Sequence, residues 1–253
     1  IAGTIESINT ITKEDLYNTY YTFYQPSNMF LVISGDFKVE DAINTIKNNE
    51  TLRNAKTNFK VKVFQEEEPL SVNEKIKELE FNVVNTKVGY GIKIPIKHIK
   101  NKYLFNLYIG LMLSIKFGLS SVFREKLKKE QLMTSFYTER EIVGEYLIIA
   151  FKADSETPFE LIEEIKKELA NIEIPEEEIN RLKKVWISSE VIMIDNINMS
   201  LENIVDDIIE FGDIIPNKVE IFRSLNKKDY DKILSSIDFS NSSTVIIRPK
   251  EKE

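Results

Sequence analysis

The stretch INTITKEDLYNTYYTFYQPSNMFLVISGD, residues 8–36, indicates the domain organisation of the chain, because a similar sequence is repeated near the C-terminus. Residues 222–251 read FRSLNKKDYDKILSSIDFSNSSTVIIRPKE, and the two copies align without a gap at one constant offset. At that offset Thr12 falls on Asn226. A capped helix followed by a strand is common enough to recur by chance, but a gapless match of this length favours duplication.

Each copy predicts a capped helix followed by a buried strand. The side-chain oxygen of Thr12 or Asn226 can accept a hydrogen bond from a free N–H of the first helical turn. An aspartate three residues later, Asp15 or Asp229, lies at the helix end that favours negative charge. A short polar break and a β-branched apolar run follow, which predicts a strand at Met29–Ser34 and another at its counterpart in the second copy.

The offset between the copies sets the expected domain organisation. A repeating unit of nearly the whole chain length cannot fit twice, so most of the first unit is expected to lie upstream of this chain. We therefore predict the tail of the first unit at 1–50, a linker at 51–73 and a complete second unit at 74–253. The linker prediction rests on a polar stretch that ends in three consecutive glutamates and a proline.

Composition limits the class of protein. With 253 residues, 42% of them hydrophobic, the chain can bury the core of one large domain or slightly more. The net charge of −7 argues against a nucleic-acid partner, because phosphate binding needs a basic face. Cysteine is absent, which excludes disulfides and thiolate metal sites and suits a reducing cytoplasm. The most apolar stretch, Tyr103–Ile115, is too short to span a bilayer, so we expect a soluble, cytoplasmic protein without a membrane partner.

From about residue 70 onward, strand-like and helix-like patterns follow one another. Two strand candidates, Ile76–Val83 and Lys87–Ile96, are adjacent in the chain and are expected to pair antiparallel. Ile99–Lys116 is apolar on most sides, which predicts a helix sandwiched in the core. The other predicted elements, before the second copy, are Val122–Glu130, Thr134–Ile142, Glu145–Ala153, Pro158–Asn171, a helix from Pro175 to about Asn196, and Ser200–Phe211. Paired strands with grouped helices predict an α+β fold, an antiparallel-rich sheet with helices packed on one face.

Candidate catalytic and metal-binding residues are scarce. The one histidine, His98, lies between lysines in the loop IKHIK, so a zinc site of two histidines on one helix cannot be built. A Ser-His-Asp triad has no G-x-S-x-G motif to support it, and the eight glycines form no phosphate-binding motif. Adjacent carboxylates such as Glu163 and Glu164 point in different directions on a helix, which is typical of a solvated face. Trp186 shares a helical face with Leu182, which predicts core packing.

Three segments resemble the M16 metallopeptidases, the family of insulinase, pitrilysin and the mitochondrial processing peptidase. The opening is similar to the pattern that closes the first half of these proteins, through Gly3-Thr4, Ile8, Tyr24, Pro26, Asn28, Met29, Gly35 and Asp36. The segments GLSSVFREKLKKEQLMTSFYTE, residues 118–139, and IPEEEINRLKKVWISSE, residues 174–190, resemble parts of the second half. The resemblance covers essentially the whole chain. It implies the M16 (LuxS/MPP-like metallohydrolase) fold, with one complete half preceded by the tail of the other.

The resemblance also implies where zinc and substrate bind. The family holds zinc in its first half, through an inverted H-x-x-E-H motif and a more distant glutamate. No metal ligand and no catalytic residue is therefore expected in this chain, and zinc is expected in the full-length parent. Many second halves supply an Arg and a Tyr, seven residues apart, to the substrate backbone, and those positions hold Leu127 and Thr134 here. Shifted alignments offer two other pairs that do not match: Lys129 with Phe136, and Glu130 with Tyr137.

Three functions stay open at this point. The parent can be a zinc-dependent endopeptidase that cleaves peptides in a closed chamber, with this part inactive by itself. It can be a non-catalytic subunit that pairs with an active M16-like chain, which the missing Arg/Tyr pair permits and which resembles bacterial members that work in unequal pairs. A stand-alone binding domain is the third. A peptide is the expected substrate, and the parent's own N-terminal half or an M16-like chain is the expected partner.

Overall fold

The computed structural model describes residues 3–50, 61–62 and 67–250. The chain divides into two compact units, Ile1–Glu67 with Ile197–Val205, and Glu68–Asn196 with Asp206–Glu253. The division falls inside the predicted linker at 51–73, most of which lies outside the described residues. The predicted domain boundaries therefore stay predictions.

The described part of the first unit is helical near its N-terminus. It contains α1 (Ile5–Asn9), α2 (Lys13–Phe23), a 3₁₀ turn at Pro26–Asn28 and α3 (Val39–Asn48). The predicted cap is confirmed: the Thr12 hydroxyl accepts a hydrogen bond from the Asp15 N–H at 3.1 Å, and the Asp15 carboxylate accepts one from the Thr12 N–H at 2.9 Å. The predicted strand at Met29–Ser34 is wrong, because no described segment pairs with these residues and a strand exists only through its hydrogen-bonded neighbour.

The second unit alternates paired strands with groups of helices. In chain order its elements are β1 (Ile76–Phe81), β2 (Lys87–Pro95), α4 (Lys102–Phe117), α5 (Val122–Lys129), β3 (Ser135–Val143), β4 (Tyr146–Asp154), α6 (Pro158–Ala170), α7 (Glu176–Asp195), α8 (Ile197–Phe211), α9 (Lys218–Ser224), α10 (Lys227–Leu234) and β5 (Ser242–Pro249). The first part of α8, Ile197–Val205, groups with the first unit. Every element predicted here is found with ends shifted by a few residues, and the sequence reasoning missed α9.

The five strands form one mixed sheet in the order β1-β5-β2-β4-β3. The expectation that β1 and β2 are neighbours is wrong, because β5 lies between them, parallel to β1 and antiparallel to β2. Strand β5 carries the apolar run Val245–Ile247, which suits an interior strand. Strand β1, with the sequence IKELEF, carries charges that suit an edge. The other three pairings are antiparallel, so the predicted antiparallel-rich α+β sheet is confirmed.

The helices pack on one face of this sheet, as predicted. Strand β2 turns Val88, Tyr90, Ile92 and Ile94 toward them, and all four side chains are buried. The centre of the core is α4. Trp186 of α7 packs against the core, with its ring centroid 5.8 Å from that of Phe222.

The opposite face of the sheet carries no helix among the described residues of this unit, and we call it the open face. Its side chains follow from the strand registers: Lys87, Gly89, Gly91 and Lys93 of β2, Ser135, Tyr137 and Glu139 of β3, Tyr146, Ile148, Ala150, Lys152 and Asp154 of β4, and Ser243, Val245 and Ile247 of β5. None of these side chains belongs to the hydrophobic core on the helix side.

One window, Lys102–Lys129, is long and apolar enough by composition to cross a membrane. In the structure it is divided into α4 and α5, and more than half of it is buried. Leu111 and Met112 of α4 are fully buried in the core. The packing of a core helix therefore accounts for its apolar character.

Candidate functional site

The open face holds a shallow trough along β2. Strand register places Gly89 beside Val245, and Gly91 beside Ser243. A Cβ added at Gly89 would lie 3.8 Å from the Val245 carbonyl oxygen, and one at Gly91 would lie 3.9 Å from that of Ser243, both ordinary contact distances. Crowding therefore does not require glycine at either position. The effect of the two glycines is to leave the β2 backbone accessible to a second chain.

Charged and aromatic side chains border the trough. Lys87 Nζ lies 2.7 and 2.8 Å from the two carboxylate oxygens of Asp154, across the β2–β4 pairing. The hydrogen bond from Lys87 holds the pKa of the Asp154 carboxyl below its usual range. Lys152 of β4 forms an ion pair with Glu139 of β3, and Tyr137, directly opposite Lys152, is 62% exposed. Since exposed ion pairs add little stability, these groups mainly give the border of the trough its mixed charge.

One end of the open face is closed by residues 68–69. Lys93 is only 8% exposed, and its ammonium donates to the Glu68 carboxylate at 2.5 Å and to the Pro69 carbonyl. The same ammonium lies 4.4 Å from the ring centroid of Tyr146, whose hydroxyl donates to the Glu68 carbonyl at 2.7 Å. A buried ammonium needs such partners to offset its lost hydration. These contacts therefore fix the end of the predicted linker against the sheet.

The structure does not bring the two predicted substrate positions together on the open face. Leu127 is fully buried on the helix side of the sheet. Thr134 is exposed, and its backbone N–H donates to the Asp154 carbonyl at 2.9 Å. Of the two shifted pairs, Phe136 is buried, and Tyr137 projects from the open face. The predicted lack of a substrate-contacting Arg/Tyr pair stays a prediction, and Tyr137 is an exposed aromatic residue of the open face.

The sequence reasoning missed a buried arginine, Arg124 of α5. Its guanidinium donates to the Phe136 carbonyl and lies 5.3 Å from the Phe136 ring centroid, which ties α5 to β3. Burial lowers the pKa of this guanidinium. Helical spacing could have revealed it, because Arg124 lies three residues before the buried Leu127 and so faces the core. Arg124 positions the strand that carries Tyr137.

A buried charged cluster lies between α7, the second part of α8 and α9. Lys218 Nζ lies 2.7 Å from an Asp207 carboxylate oxygen, and both side chains are more than nine-tenths buried. The other Asp207 oxygen accepts from the Ile215 N–H at 3.3 Å. Burial raises the pKa of the nearby Glu190 carboxyl, while Lys218 lowers it and Asp207 raises it further. The cluster joins three helices.

The residues present do not fit a zinc site. In the described ranges, no three His, Cys, Asp or Glu side chains lie close enough to hold a metal ion together. His98 is exposed and lines a cleft of 340 Å³ with Asp238, which offers one imidazole and one carboxylate. Zinc in proteins takes three or four ligands, so no step of a metal-dependent reaction is assigned to this chain.

Comparisons with known proteins agree with this fold. Residues 10–185, more than half of the chain, match the family described as the peptidase M16 inactive domain. The chain is 34% identical over 173 residues to a Bacillus subtilis (strain 168) protein named uncharacterized zinc protease YmfH, covering 67% of this chain and 40% of that protein. It thus spans less than half of that relative.

Solved structures share the fold. A putative M16-like peptidase from Alicyclobacillus acidocaldarius superposes with a TM-score of 0.75 at 23% identity, over 99% of this chain and 61% of that one. A protease from Helicobacter pylori superposes with a TM-score of 0.76 at 17% identity, over 98% of this chain and 61% of that one. The resemblance found in the sequence is therefore confirmed: the chain belongs to the M16 peptidase family and contains that family's inactive domain.

Proposed function

We propose that this chain is the C-terminal, non-zinc-binding part of an M16-type zinc peptidase, and that its open face forms one wall of the closed chamber in which a peptide is cleaved. The observation that carries the proposal is the trough at Gly89 and Gly91. It offers accessible backbone, a border of mixed charge and the exposed ring of Tyr137. A surface of this kind holds an extended peptide through many weak contacts without selecting one sequence.

Zinc and the catalytic residues are proposed to lie in the part of the parent that precedes this chain. The name of the Bacillus subtilis relative supports zinc in the parent, and the described residues of this chain do not fit it. The chain alone is therefore proposed to be inactive. A cytoplasmic location is part of the same proposal and rests on the absence of cysteine.

A second candidate function is a non-catalytic subunit that lends a chamber wall to an active M16-like partner chain. The burial of Leu127 favours it, because the residue at the family's substrate-contacting position cannot reach a peptide here. The two candidates differ in where the zinc is held, in the same polypeptide or in another one.

The deciding experiment compares the full-length gene product with the 253-residue chain. Zinc content and hydrolysis of an unstructured, internally quenched fluorescent peptide are measured on both. We expect one zinc per full-length chain and chelator-sensitive hydrolysis, and neither in the 253-residue chain. A full-length product without zinc and without activity would replace the first candidate by the second. Zinc-dependent hydrolysis by the 253-residue chain would overturn both.

The role of the trough is tested in the active full-length protein with Gly89→Gln and Tyr137→Ala. We expect each to raise KM several-fold at unchanged kcat, because the trough contributes binding and not chemistry. Lys184→Gln, an exposed substitution on α7, is the matched control and is expected to change neither constant. A fall in kcat at unchanged KM, or no change for either trough variant, contradicts the proposed chamber wall.

A further inference from the structure

A cavity of 490 Å³ lies on the helix side of the sheet, away from the open face. One wall is apolar and is formed by Leu169 and Ala170 at the end of α6, with Phe239 before β5. The sheet side of the cavity is polar and includes Tyr90 of β2 and Thr244 of β5. Its volume is within the range of protein sites that bind small organic ligands.

Two side chains on the wall of this cavity, Tyr90 and Thr244, carry hydroxyl groups. Tyr90 is 3% exposed and Thr244 is 7% exposed. They are direct cross-strand neighbours in the β2–β5 register, so their side chains stand next to each other on the same face. Within the part of the chain that the structure describes, neither hydroxyl forms a hydrogen bond. Neither oxygen is among the described polar atoms that are fully buried without a partner, so both are open to the cavity and can bind a group that enters it.

The charge at the mouth of the cavity is positive. Lys75 lines the cavity, and a hydrogen bond from the Thr244 N–H to the Lys75 carbonyl, at 2.9 Å, fixes its backbone beside β5. Its ammonium forms no ion pair with any described residue. Lys166 also lines the cavity, but its ammonium is 2.8 Å from a Glu163 carboxylate oxygen. Although the whole chain carries a net charge of −7, no carboxylate is among the described residues that line this cavity.

We propose that this cavity binds a carboxylate carried on a small apolar body. The carboxylate oxygens accept hydrogen bonds from the Tyr90 and Thr244 hydroxyls and from the Lys75 ammonium, while the apolar body packs on Leu169 and Phe239. A charge-assisted hydrogen bond is about twice as strong as a neutral one, so the site selects a carboxylate over the matching amide. The same chemistry is offered by the free C-terminus of a peptide with an apolar last residue and by a free organic acid. The site is independent of the chamber wall proposed above.

The test titrates four probes into the 253-residue chain, followed by ¹H–¹⁵N NMR: acetyl-Ala-Leu with a free C-terminus, its C-terminal amide, hexanoate and hexanamide. We expect shifts for residues around Tyr90 and Thr244, and at least tenfold weaker binding of each amide than of its acid. Tighter binding of the dipeptide acid identifies a peptide C-terminus as the source, and tighter binding of hexanoate identifies a free acid. Equal binding of acids and amides, or no binding of either acid at millimolar concentration, overturns the proposal.

Substitutions then locate the site. Lys75→Gln and Tyr90→Phe are each expected to weaken binding of the preferred acid by about tenfold, because each removes one hydrogen bond to a charged group. Lys167→Gln, on the same helix but outside the cavity lining, is the matched control and is expected to leave binding unchanged. Lys75 is exposed and its substitution does not disturb the core, so it decides the outcome even if Tyr90→Phe fails to fold. An unchanged affinity in Lys75→Gln overturns the proposal.

Discussion

The two copies of the helix–strand element share a sequence pattern but differ in their surroundings. In the C-terminal copy, Tyr230 of α10 and Ile246 of β5 are fully buried. At the position aligned with Tyr230, the N-terminal copy has Leu16, which is 63% exposed. Both copies form the capped helix, yet residues 29–34 form no strand in the described part of the chain. The cap and the helix are thus local properties of the sequence, whereas the strand depends on its neighbours.

The largest expected difference between the copies is in amide hydrogen exchange. The amides of Val245–Ile247 lie between β1 and β2, so they are expected to exchange only when the sheet opens, at a cost of about 5 kcal/mol or more. The amides of Leu31–Ile33 lack a strand partner and are expected to exchange at nearly the rate of an unfolded chain. Exchange followed by mass spectrometry measures both. Comparable protection of the two segments would contradict the difference between the copies.

The next largest effect concerns the helices. Tyr230→Ala is expected to lower the free energy of unfolding by about 3–5 kcal/mol, because it empties a fully buried ring position and removes the hydrogen bond to the Ile172 carbonyl at 2.6 Å. Leu16→Ala, at the aligned position, is expected to change it by less than about 0.5 kcal/mol. Urea unfolding followed by the fluorescence of Trp186, the single tryptophan, measures both variants. Equal losses in the two variants would show that the apolar face of α2 is as well packed as that of α10.

A smaller effect is expected for the caps. Asn226→Ala is expected to cost about 1 kcal/mol, because the Asn226 side chain accepts from the Asp229 N–H at 2.9 Å at the start of a packed helix. Thr12→Ala removes the equivalent bond from α2 and is expected to reduce helix content by circular dichroism without moving the Trp186 transition. Thr12→Ser keeps the hydroxyl and is the matched control. A shift of the Trp186 transition in Thr12→Ala would contradict this separation.

The parts of the fold that the sequence predicts are those whose signals are local. Thr12 and Asn226 predict a helix cap from residues within one helical turn. The alternation of apolar and other residues along β2 predicts which side chains face the core and which face the open side. The position of β5 between β1 and β2 cannot be found in this way. A charged edge strand and its parallel partner from the end of the chain carry no local signal of their pairing.

The candidate sites also contain features that local sequence predicts and features that depend on the pairing of distant strands. The burial of Leu127 follows from its place on the apolar side of an amphipathic helix, which the sequence contains. The pairing of Tyr90 with Thr244, which creates the polar side of the cavity, depends on the register between two strands far apart in the chain. Likewise, the trough at Gly89 is recognisable only once β5 is placed beside β2.

The smallest expected difference is between Asp15 of α2 and Glu190 of α7, whose contributions to stability change with pH in opposite directions. Hydrogen bonds from Thr12 lower the pKa of the exposed Asp15 carboxyl, so its contribution to stability is present above the unfolded-state pKa and is lost as pH falls through the lowered value. Burial raises the pKa of the Glu190 carboxyl, and Lys218 opposes that shift while Asp207 reinforces it. Its contribution is therefore complete below the unfolded-state pKa of 4.5 and is lost as pH rises through the raised value.

Two matched substitutions of a carboxyl by an amide test these opposite pH dependences. Glu190→Gln mimics the protonated carboxyl, so it is expected to melt at a higher temperature than the parent chain at pH 7, with a gap that closes as pH falls toward 4.5. Asp15→Asn is expected to lose helix content at pH 7 and to match the parent chain at low pH. Melting curves between pH 4 and pH 8 test Glu190→Gln, and circular dichroism carried down to about pH 2, below the lowered pKa of Asp15, tests Asp15→Asn. If Glu190→Gln instead melted at a lower temperature at pH 7, the attraction of Lys218 for the ionised carboxylate would outweigh the burial of Glu190.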